Sequence, residues 1–181
     1  MHRTLHSSQI LELLDYSKYF ELTKQTLPSE TSKFVERMEQ HYLVKKVFED
    51  SYDVTNLGAI LFARQLDSFQ SIKRKSIRVI IYEGNSRVNR KKEQVGGYGY
   101  AVGFEGLLDY INDKLPYNEE ISKTLRKETK MYPEIALREF VANAIIHQDL
   151  SITGTGPMIE IFDQRIEITN PGEPLIVTPS N

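Results

Sequence analysis

Pro133-Glu134-Ile135-Ala136-Leu137-Arg138-Glu139-Phe140-Val141-Ala142-Asn143-Ala144-Ile145-Ile146-His147 is the stretch on which the fold turns. Proline suits the first turn of a helix, where its missing N–H has no partner to lose. At about 100° per residue, Glu139, Asn143 and His147 fall within an arc of about 80°. Ile135, Leu137, Phe140, Val141, Ala144, Ile145 and Ile146 take most of the remaining circumference. An ordinary surface helix carries an apolar stripe little wider than about 100°. The pattern therefore predicts a mostly buried rod with a narrow polar window. Burying a polar group without a partner costs about 1–3 kcal/mol, so such a window needs a hydrogen-bond network, an ion or a ligand. The alternative is that the stripe faces solvent.

Downstream, Thr153-Gly154-Thr155-Gly156-Pro157 reads as a flexible turn, and residues 158–162 and 165–169 alternate as two strands around Asp163-Gln164, a hairpin. The second strand runs into the turn Asn170-Pro171-Gly172. Upstream, residues 77–82 form the clearest strand, β-branched and bounded by Lys73-Arg74-Lys75 and Gly84-Asn85. Residues 86–95 read as a polar stretch in which Arg87, Arg90, Lys91 and Lys92 are either a solvated loop or a phosphate contact. Helices are expected over 104–114 and 119–129. Gly97-Tyr98-Gly99 with Gly103 lacks the spacing of a dinucleotide loop.

In the first part of the chain, helices are expected over 9–16, 19–26 and 29–41. A turn at Glu49-Asp50-Ser51 separates two apolar segments, and a helix over 56–69 follows, in which Gly58 permits close packing. Helix, hairpin-like turn and Val54-Thr55-Asn56-Leu57-Gly58 resemble a winged-helix segment, a fold that often reads DNA. The plainer reading is a small helical packing module.

Composition narrows the chemistry. The 181 residues suit one domain with an appendage. The absence of cysteine excludes disulfides, thiolate zinc sites and a cysteine nucleophile. Lys and Arg total 23 against 25 Asp and Glu, so no bulk positive field announces nucleic acid. No apolar run approaches the ~20 residues that span a bilayer, and the start carries no signal-peptide core, so a cytoplasmic protein without membrane contact is expected. Phosphate-loop, nucleophile-elbow and zinc-protease motifs are absent, and the four histidines have no ligand spacing.

The block from Ala136 to Asp149, followed by the block from Ile159 to Gly172, resembles the RecG-like C-terminal ATPase module. That module is a branch of the GHKL (Bergerat-fold) ATPases, in proteins that often also carry a Schlafen/AlbA-type DNA-binding domain. The segment from Val54 through the strand at 77–82 resembles the middle of these proteins. The resemblance implies Mg²⁺ and ATP as ligands and no zinc, haem or flavin. It assigns Glu139 to the acid that orients the attacking water, and Asn143 to the amide that ligates Mg²⁺ through its oxygen. His147 would face phosphates or a lid, and Asn170 and Gly172 occupy the place of the adenine-binding box. There the family carries Asp-x-Gly-x-Gly, whereas this chain reads Asn170-Pro171-Gly172-Glu173-Pro174. The family's glycine-rich lid would begin where the chain ends at Asn181, so a piece of a longer protein is expected, ATPase-like at most and inefficient alone.

The expected fold is α+β. A small helical, winged-helix-like part covers residues 1–70, and an incomplete GHKL-type α/β sandwich covers 71–181. The expected function is that of a fragment of a transcriptional regulator or RecG helicase-related protein, with nucleotide as partner and DNA reached through the first part or through further domains. The alternative is a non-catalytic scaffold or dimerisation module of such a regulator, with self-association left open.

Overall fold

The computed structural model describes residues 5–121 and 126–173, and side chains outside 117–130. It is an α+β protein whose chain divides into two units: residues 1–76 with 96–107, and residues 77–95 with 108–181. The first boundary lies six residues beyond the expected one, and a later segment returns to the first unit.

The first unit begins with three helices, α1 (Ser7–Leu13), α2 (Tyr16–Leu22) and α3 (Thr31–Gln40). An antiparallel hairpin follows, β1 (Val44–Phe48) with β2 (Ser51–Val54), and then α4 (Asn56–Phe62). Ile10, Leu14, Val35 and Met38 are fully buried, and Tyr19 packs edge-to-face on Phe20 and on Phe62. Gly58 lies against the chain entering β1, where an added Cβ would stand 2.0 Å from the Leu43 carbonyl oxygen.

The helix expected over 56–69 stops at Phe62 because its next backbone groups are taken from outside. Ala63 bridges to Leu14 and accepts from the Gly99 N–H, and the Arg64 N–H donates to Leu13. Tertiary hydrogen bonds thereby override a helical pattern.

The second unit holds a four-stranded sheet built from β3 (Arg78–Tyr82), β4 (Arg90–Val95), β7 (Met158–Ile161) and β8 (Ile166–Thr169). Its spatial order is β4-β3-β7-β8, with β3 and β7 parallel and the other pairs antiparallel. The crossover from β3 to β7 carries α5 (Tyr100–Lys114), the hairpin β5 (Tyr117–Ile121) with β6 (Arg126–Lys130), and α6 (Glu134–Ile146). Val79, Ile159 and Ile161 share one buried sheet face by the period-two alternation of strands.

The structure departs from the sequence pattern in two segments. The polar stretch 86–95 contains a strand, because an edge strand needs one neighbour only and tolerates charged side chains; Arg78 of β3 pairs with Glu93 across it at 2.7 Å. The helix expected over 119–129 is a hairpin in the described part. Ile121 and Leu125 alone would make too narrow an apolar stripe to hold a helix on a core, whereas strand pairing satisfies the backbone locally. Among the described residues no helix is long and apolar enough to cross a membrane.

Candidate functional site

Pro133 caps α6 with extended backbone, and Glu134 places negative charge in the first turn, where the helix dipole favours it. The expectation of a rod buried around most of its circumference is not met. Only Leu137, Val141 and Ala144 are buried, while Ile135 (84% exposed), Phe140 (64%) and Ile146 (70%) stand in solvent. The physical reason is coverage: α6 packs along β8, an edge strand, and one sheet face can bury one stripe of a helix.

Glu139 and His147 are exposed and Asn143 is half-buried. One helical turn apart, Asn143 Nδ2 donates to Glu139 Oε1 at 3.3 Å, so the stripe is joined within itself. His147 ends the helix, its N–H donating to the Asn143 carbonyl.

The turn after β8 is fastened to this helix end. Asn170 Nδ2 donates to the His147 carbonyl at 2.9 Å, and the Asp149 N–H donates to the Pro171 carbonyl at 2.8 Å. Helix C-termini leave carbonyls without intrahelical partners, and here the Asn170 side chain satisfies one while Gln148 Nε2 reaches the Ile145 carbonyl. Gly172 has φ +133°, and a Cβ there would stand 3.2 Å from Asp149; glycine is needed for both reasons. The structure therefore brings Glu139 with Asn143, and Asn170 and Gly172 with the backbone of residues 147–149.

The donor set at Glu139 and Asn143 is hard oxygen. Asn143 donates through its nitrogen, which leaves its amide oxygen as the acceptor. Such a pair fits Mg²⁺, which keeps several waters and takes one or two protein ligands plus phosphate oxygens. Among the described residues no group of three or more acidic or histidine side chains gathers as a cage.

A second constellation lies on the opposite sheet face. Glu160 in β7 is 1% exposed and accepts from Tyr82 Oη (3.2 Å), Arg87 Nε (2.8 Å) and Arg87 Nη2 (2.8 Å). Arg87 also reaches Glu167, which accepts from Arg165 in turn. The Phe162 ring is stacked on Tyr82, with the Arg165 guanidinium 3.8 Å from its centroid. Arg87 bonding holds the Glu160 carboxyl below the usual range against the opposing effect of burial, and burial followed by Glu160 pushes the Tyr82 phenol up. Arg87 is thus a clamp rather than part of a solvated loop. The sequence held a signal for this: Glu160 sits between Met158 and Phe162 on the same strand face, an inward charge that requires a partner.

No protein-family model matches the chain, and no curated protein sequence matches it. Among solved structures, it is similar in fold to the DIP2311 protein from Corynebacterium diphtheriae, with a TM-score of 0.51 and 18% identity over 66% of this chain. The match spans 23% of the length of that protein.

Proposed function

We propose that α6 and the Asn170-Pro171-Gly172 turn form one side of a Mg-ATP site in a GHKL-like module of a transcriptional regulator or RecG helicase-related protein. The observation that carries this reading is the pairing of Glu139 with Asn143 on one exposed helix face, beside a turn fastened to the same helix end. Asn143 would offer its amide oxygen to Mg²⁺, and His147 stands one turn further along to meet phosphate. Bound Mg²⁺ would neutralise phosphate charge. Glu139, one turn from Asn143, can hold a water by accepting its proton-bearing O–H. Calorimetric titration with Mg²⁺ and a non-hydrolysable ATP analogue tests the reading. Saturable binding that Asn143→Ala weakens about tenfold or more supports it, a loss of about 1.4 kcal/mol; no binding, or binding indifferent to Asn143→Ala, rejects it.

A second reading, a non-catalytic scaffold, is favoured by the position of Asn170. Its amide caps the helix end, a packing role that serves stability without any nucleotide. In that case Glu139→Ala leaves regulatory activity in the parent organism intact.

A further inference from the structure

We draw no further inference here: the strongest candidate, the apolar surface patch on the solvent side of α6 where Ile135, Phe140 and Ile146 stand exposed, carries nothing because no observation among the described residues shows what covers it.

Discussion

Glu160→Gln probes the clamp between the two hairpins of the sheet. The substitution keeps shape and leaves one oxygen to accept from Tyr82 and Arg87 Nε, but sets an amide nitrogen where Arg87 Nη2 now donates at 2.8 Å. Hydrogen bonds to charged groups contribute about 1.5–3 kcal/mol. Burying a neutral amide costs less than burying a carboxylate, which offsets part of this, so a net loss of about 1–2 kcal/mol is expected at neutral pH. The acid limb sharpens the test. Arg87 holds the folded Glu160 carboxyl below its unfolded value, so the unfolded chain takes up the proton first as pH falls. The stabilisation is complete above the unfolded pKa and is lost as pH falls through the folded one. The gap between native and variant protein should therefore be full at pH 7 and close in acid, where the native side chain is itself neutral. Hydrogen exchange at the Ile159 and Ile161 amides across this range reads sheet stability directly. A gap that stays constant into strong acid, or a variant as stable as the native chain at pH 7, would mean that Arg87 does not stabilise the sheet through the ionised Glu160.

Gly58→Ala pits helix propensity against packing: alanine gains about 1 kcal/mol intrinsically, yet its Cβ would meet the Leu43 carbonyl oxygen, itself held by the Thr55 N–H and hydroxyl. A net destabilisation of about 2 kcal/mol or more is expected in urea unfolding of the first unit, and a stabilised variant contradicts the close approach. Asn170→Ala removes one exposed cap bond and should cost about 0.5–1 kcal/mol, read as faster amide exchange in the last turn of α6; unchanged exchange there argues against the cap. Gly172→Ala forces a side chain into a left-handed backbone beside Asp149 and should cost about 1–3 kcal/mol, checked by thermal melting, where an unshifted melt counts against strain.

Much was legible without coordinates, and the limits follow from which interactions are local. Content rich in β-branched residues, bounded by basic and turn-forming residues, announced the strand at residues 77–82, and alternation announced the hairpin around Asp163-Gln164, because a strand's two faces see different surroundings at a period of two. The helix at 133–147 was announced by its apolar content and by proline, and the close approach of Gly58 by the residue itself. What the sequence could not determine was exposure. Ile135, Phe140 and Ile146 carry the chemistry of a core yet stand in solvent, since burial depends on how many neighbours the sheet edge brings to α6 and not on the residues of α6. Tertiary structure alone ended α4 at Phe62, through hydrogen bonds from residues about fifty and thirty-five positions away in Leu13 and Gly99. It alone converted Arg87 from a surface charge into a clamp, 73 residues from its partner Glu160. Hydrogen bonds and charge pairs of that separation leave no periodic trace along the chain, so only the folded backbone reveals them.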